Sequence, residues 1–105
     1  MGIKDILREE LENSLRMLKR YEEELSLLPR GSVSKRKIKG NEYYYLVYRD
    51  KGKFKSEYKG KELSDEELEK YSQAKASRAK YRNSISKLKK QIRYLEGVLR
   101  GKAEI

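Results

Sequence analysis

Ser32-Val-Ser-Lys-Arg-Lys-Ile-Lys-Gly-Asn-Glu-Tyr-Tyr-Tyr-Leu-Val-Tyr-Arg-Asp-Lys-Gly-Lys-Phe-Lys-Ser-Glu-Tyr-Lys59 is the stretch in which the apolar period of the chain changes from seven to two. Two turn signals punctuate it. Gly40-Asn41 suits a two-residue hairpin loop, and Asp50-Lys51-Gly52 suits a three-residue loop with glycine at the left-handed position. Three antiparallel strands follow, over about 32–39, 42–49 and 53–59. In that register Ile38 opposes Tyr43, Val33 opposes Tyr48, Tyr48 opposes Phe54 and Tyr44 opposes Tyr58. One face then carries Val33, Tyr44, Leu46, Tyr48, Phe54 and Tyr58 and is expected to be the core. The other carries Ser34, Arg36, Ile38, Tyr43, Tyr45, Val47, Arg49, Lys53, Lys55 and Glu57, and is expected to stay open to water. A slip of one residue in the second turn would invert the third strand.

Helical patterns flank this meander. Over residues 3–28, Leu11, Leu18 and Leu25 alternate by four and three with Leu7, Ser14, Tyr21 and Leu28, and Pro29 stops the helix. Over residues 64–100, Ser64 and Glu67 form a capping box, and Leu63 and Leu68 a hydrophobic staple. Tyr81, Ile85, Leu88, Ile92, Leu95 and Leu99 continue the seam to Gly101. The expected fold is therefore α+β: an antiparallel two-helix coiled-coil hairpin with an inserted three-stranded antiparallel β-meander, one domain over residues 1–105. An antiparallel register sets Leu18 near Tyr81, Leu11 near Leu88 and Ile3 near Leu95. It also sets Glu10, Glu22 and Glu24 against Lys75, Arg82 and Lys89. A leftover stripe of Ile6, Leu15 and Met17 leaves a homodimer open.

Composition agrees with narrow apolar seams. Charged residues are 42% of the chain, hydrophobic ones 36%, and the mean hydropathy is −1.04, too polar for a thick core. No apolar run follows Met1 and none approaches membrane-spanning length, so neither a signal peptide nor a transmembrane helix is expected. Cysteine is absent, which removes disulfides and thiolate metal sites; a cytoplasmic, nucleoid-associated location without membrane partners is the expectation.

The net charge of +10 is unevenly spread. Residues 1–28 carry −2, residues 29–63 carry +7 and residues 64–105 carry +5; Lys70 through Arg93 holds nine basic residues and no acid. A concentrated patch can neutralise several phosphates at once and release their counterions. Solvation alone accounts for many basic helix faces. On the expected open sheet face, however, Tyr43 and Tyr45 stand beside Arg36, Arg49, Lys53 and Lys55, a surface suited to sugar, base and phosphate together. Lys75, Arg82 and Lys89 on the second helix would add phosphate contacts.

Catalysis is not expected, nor any cofactor. There is neither His nor Cys, the Glu22-Glu23-Glu24 run points in different directions on a helix, and Gly52-Lys53 and Gly60-Lys61 lack the rest of a phosphate loop.

Residues 31–55, from Gly31-Ser-Val-Ser-Lys through Tyr43-Tyr-Tyr-Leu-Val-Tyr-Arg to Gly52-Lys-Phe-Lys, resemble the three-stranded AP2-like, arm-binding sheets at the amino termini of tyrosine integrases. That resemblance implies that the open face enters the DNA major groove, with Arg36, Tyr43, Tyr45, Arg49, Lys53 and Lys55 as contacts. Integrase sheets are backed by one short helix, whereas two long helices flank this one. Most of the chain is also similar to small uncharacterised helix–meander–helix proteins of mobile elements, in its Pro29-Arg-Gly-Ser entry and its Tyr43-Tyr-Tyr-Leu strand.

The functional expectation is a nucleic-acid-binding accessory or regulatory protein, with DNA, as duplex, favoured over RNA. The alternative is an interaction module or inhibitor that docks an acidic protein surface through the same basic face.

Overall fold

The computed structural model of the protein describes residues 2–101. Its element order is α1 (Ile3–Leu27), β1 (Ser32–Ile38), β2 (Asn41–Asp50), β3 (Lys53–Gly60) and α2 (Asp65–Leu99). The strands form one antiparallel sheet in the order β1-β2-β3. The fold is α+β, helix–meander–helix, as the sequence predicts.

Local chemistry sets the helix ends. The Gly2 N–H donates to the Asp5 carboxylate at 3.1 Å, and α1 stops at Leu27, just ahead of Pro29. At α2 the Glu67 N–H donates to Ser64 Oγ at 3.2 Å, and three acids occupy the first turn at the positive end of the helix dipole. Beyond α2, Gly101 takes a left-handed φ of 73° and its N–H donates to the Val98 carbonyl at 2.9 Å.

The chain divides into two compact units: α1 with α2 from Ala79 onward, and Leu28–Arg78. In the helical unit α2 buries Ile85, Leu88, Ile92, Leu95 and Val98. The two helices meet antiparallel. The Tyr81 ring lies 5.8 Å from that of Tyr21 and its hydroxyl donates to Glu24 at 2.6 Å; Gln91 Nε2 donates to Ser14 Oγ at 3.3 Å and to Glu10 at 3.4 Å.

This corrects the expected register by about one turn, since Tyr81 meets Tyr21 and Glu24 rather than Leu18. A seven-residue repeat fixes which face is apolar, not the axial position; hydrogen bonds from Gln91 to Ser14 and from Tyr81 to Glu24 go with the observed one. The expected Glu–Lys pairs across the helices do not form among the described residues, where Glu10 and Glu24 bond Gln91 and Tyr81 instead. Exposed ion pairs contribute only about 0–1 kcal/mol each, against roughly 1.5–3 kcal/mol for each large aliphatic side chain buried. Burial therefore outweighs them.

The sheet departs from its expected register in an informative way. Ile38 pairs with Asn41 and Val33 with Leu46, so the first loop is Lys39-Gly40 rather than Gly40-Asn41. Asp50 pairs with Lys53, Arg49 with Phe54 and Tyr45 with Tyr58, so the second loop is Lys51-Gly52 rather than Asp50-Lys51-Gly52. All four loop residues have positive φ, between 51° and 83°. That is the two-residue turn whose twist matches the flanking strands. The first change moves the pairing by two residues and preserves the faces; the second moves it by one and turns β3 over. Near the end of β3 a bulge at Lys59 carries the pairing from Tyr45 with Tyr58 to Tyr44 with Gly60.

The inner face keeps Val33, Tyr44, Leu46 and Tyr48, with Leu46 only 7% exposed. It receives Lys53, Lys55 and Glu57 from β3 in place of the expected Phe54 and Tyr58. Val33 and Tyr44 share a cleft of about 340 Å³ with Leu68 and Tyr71 of α2, so the start of that helix lies over the β1–β2 part of this face, while Lys53, Lys55 and Glu57 stay exposed. Arg78 closes the unit by donating to the carbonyls of Pro29 at 2.9 Å and Gly31 at 3.2 Å.

Candidate nucleic-acid interface

The outer face of the sheet is built from alternate residues of all three strands. Arg36 and Ile38 come from β1, Tyr43, Tyr45 and Arg49 from β2, and Phe54, Ser56 and Tyr58 from β3. Phe54 is 72% exposed and Tyr58 55%, large values for side chains that a sheet normally buries.

Its cations are held over its rings. The Arg36 guanidinium lies 4.5 Å from the Tyr45 ring centroid and donates to Ser56 Oγ at 2.9 Å. Arg49 lies 4.7 Å from the centroid of Phe54, and Lys61, just past β3, reaches 5.8 Å from that of Tyr43. A guanidinium stacked on a ring is ordered in advance, and each contact is worth about 0.5–1 kcal/mol at an exposed site. Among the described residues the Arg36 side chain makes one hydrogen bond, so most of its donors remain for an incoming acceptor.

No acid shares this face within the strands. Glu42, Asp50 and Glu57 all project from the inner side, where Glu42 bonds Lys35 at 2.9 Å and Asp50 bonds Lys55 at 3.1 Å. The hydrogen bond from Lys35 to Glu42, with the attraction of that carboxylate, raises the lysine's pKa above its ordinary value. Acidic side chains are thus paired behind the sheet, and its front is cationic and aromatic.

Four of the six expected sheet contacts come together here: Arg36, Tyr43, Tyr45 and Arg49. Lys53 and Lys55 do not, because the inversion of β3 places them on the other face. Phe54, Tyr58 and Lys61 take part in their stead. The two Lys-Gly pairs that follow Ile38 and Asp50 were the available signal, since either can supply both left-handed positions of a two-residue turn.

Lys75, Arg82 and Lys89 are exposed on α2, and Arg82 and Lys89, seven residues apart, lie about 10.5 Å from one another along the helix. None forms a salt bridge among the described residues. Lys75 belongs to the sheet-containing unit, where it borders the cleft with Tyr44 and Tyr71; Arg82 and Lys89 belong to the helical one.

Among the described residues no helix is long and apolar enough to cross a membrane. No curated protein and no solved structure matches the chain. A family model does match, over residues 3–70, which takes in α1, the whole sheet and the first turns of α2. The chain belongs to that family, the domain of unknown function DUF6788.

Proposed function

We propose that the chain is a nucleic-acid-binding accessory or regulatory protein whose contact surface is the outer face of the sheet. The observation that carries this reading is an acid-free face on which Arg36 and Arg49 lie stacked over Tyr45 and Phe54. Stacked guanidiniums offer planar donor forks to phosphate or to base edges, and exposed rings offer π-faces to bases. The nine basic residues between Lys70 and Arg93, a stretch of sequence without an acid, support the reading as further phosphate contacts in each unit. The resemblance to integrase sheets implies DNA as the polymer, and in duplex form. A role within a mobile element rests on that resemblance and on the likeness to helix–meander–helix proteins of such elements.

An electrophoretic shift with the full chain tests the proposal, using duplex and single-stranded DNA at low and moderate salt. Binding that falls steeply with salt is expected, because several phosphates are neutralised together. No shift of either DNA at low salt would overturn it and would favour an acidic protein surface as the partner of the same face.

A further inference from the structure

Tyr58 does not lie flat beside its neighbours. Its ring is inclined by 56° to Tyr43 and by 58° to Tyr45, with centroids 6.2 and 5.5 Å away. With Ile38 beside them, these rings line a shallow, open cup of about 330 Å³ on the outer face. The size is at the small end of sites that take a drug-sized or cofactor-sized ligand. Three phenol rings and an aliphatic side chain suit a flat, largely apolar group. Two cations lie against its rings: Arg36 over Tyr45 and Lys61 over Tyr43. An apolar hollow with two positive charges against its rings complements a nucleotide strand, which offers a base together with its phosphates.

We infer that this cup receives an unpaired nucleobase, so that the sheet selects single-stranded over duplex nucleic acid. The inference rests on the nucleic-acid reading above and sets a single strand in place of the duplex that the resemblance to integrase sheets implies. In a duplex the base faces are stacked on one another, and only edges, sugars and phosphates reach a protein surface. The three rings touch one another at a tilt, so nothing enters between them; a base is taken by stacking on the exposed surface of Tyr58, which needs a free base face. A duplex must break a pair and unstack a base to supply one; a single strand has already lost the pair. Phe54, 72% exposed and four residues from Tyr58 on the same face of β3, offers a second stacking position about 13 Å along the strand. Stacked neighbouring bases are about 3.4 Å apart, so a strand using both positions must be extended across the sheet.

The test is fluorescence anisotropy with a labelled mixed-sequence DNA strand and the matching duplex, at two salt concentrations. It uses the full-length chain and its Tyr58→Ala and Tyr58→Phe variants, with folding checked by circular dichroism. Tighter binding of the single strand is expected, with a loss of roughly tenfold in Tyr58→Ala, the weight of one base–ring stack, and near-full retention in Tyr58→Phe. Duplex affinity should not change with either variant. Equal or tighter binding of duplex, or a Tyr58→Ala variant that holds the single strand as wild type does, would overturn the base-receiving cup and leave the nucleic-acid reading standing. Absence of binding to both forms at low salt would overturn the two together.

Discussion

Tyr45 and Tyr58 stand directly opposite each other on β2 and β3, with ring centroids 5.5 Å apart. This pairing decides the chemistry of the sheet. It brings Phe54 and Tyr58 to the side that carries Arg36 and Arg49, and sends Lys53, Lys55 and Glu57 to the side of Leu46.

Charge reversal separates the two sides. Arg36→Glu with Arg49→Glu should weaken nucleic-acid binding by at least tenfold and make it less dependent on salt. Lys53→Glu with Lys55→Glu should cost much less, since that pair lies behind the sheet and Lys55 is already bonded to Asp50. Binding isotherms at several salt concentrations check both, as each lost phosphate contact lowers the slope by about one.

The elements were legible because their signals are local: Pro29 ends one helix, Ser64 and Glu67 begin the other, and the aromatic and aliphatic run Tyr43–Tyr48 between two turn signals marks the central strand. Orientation of β3 was not. Asp50-Lys51-Gly52 is compatible with a three-residue loop as well as with a two-residue one, and the difference of one residue exchanges the faces. The usual tie-breaker, burying Phe54 and Tyr58, selects the wrong loop here because both rings are exposed. A local rule broken in this way is what a binding surface would produce. Helix register escaped for a different reason: a repeat of seven is satisfied at several axial offsets, and Ser14 with Gln91 and Glu24 with Tyr81 carry no periodic signature.

Gly31 should tolerate no side chain. Its φ is 88°, and a Cβ there would lie 2.7 Å from the Val47 carbonyl oxygen and 3.0 Å from Leu46 Cδ1. Gly31→Ala is expected to destabilise the protein by about 2–4 kcal/mol, from left-handed strain together with the clash. Gly52→Ala has a similar φ of 80° but open space around it, so it should cost only about 1–2 kcal/mol. Urea denaturation of the two variants gives the difference due to close packing.

Ser14 is 2% exposed and receives a hydrogen bond from Gln91. Gln91→Ala should cost about 1–3 kcal/mol by leaving that hydroxyl buried without its partner, whereas Ser14→Ala should cost less than about 1 kcal/mol. A double-mutant cycle in thermal or urea unfolding measures the coupling.

Between Tyr81 and Glu24 the hydrogen bond holds the carboxyl below its ordinary 4.5 and the phenol above its ordinary 10.0. A depressed carboxyl pKa contributes stability above 4.5 that is lost as pH falls through the folded value. A raised phenol pKa contributes stability below 10.0 that is lost as pH rises through the folded value. Tyr81→Phe should therefore destabilise the protein between those limits and converge with wild type outside them. Melting temperatures across the pH range show whether the difference has that form.

Aromatic carbon–proton NMR spectra, recorded as a short single-stranded oligonucleotide is added, report directly on which side of the sheet meets the polymer. The ring signals of Tyr43, Tyr45, Phe54 and Tyr58 should shift and broaden together, while those of Tyr44, Tyr48 and Tyr71 stay in place. Movement of Tyr44, Tyr48 and Tyr71 with the other four unaffected would contradict the account.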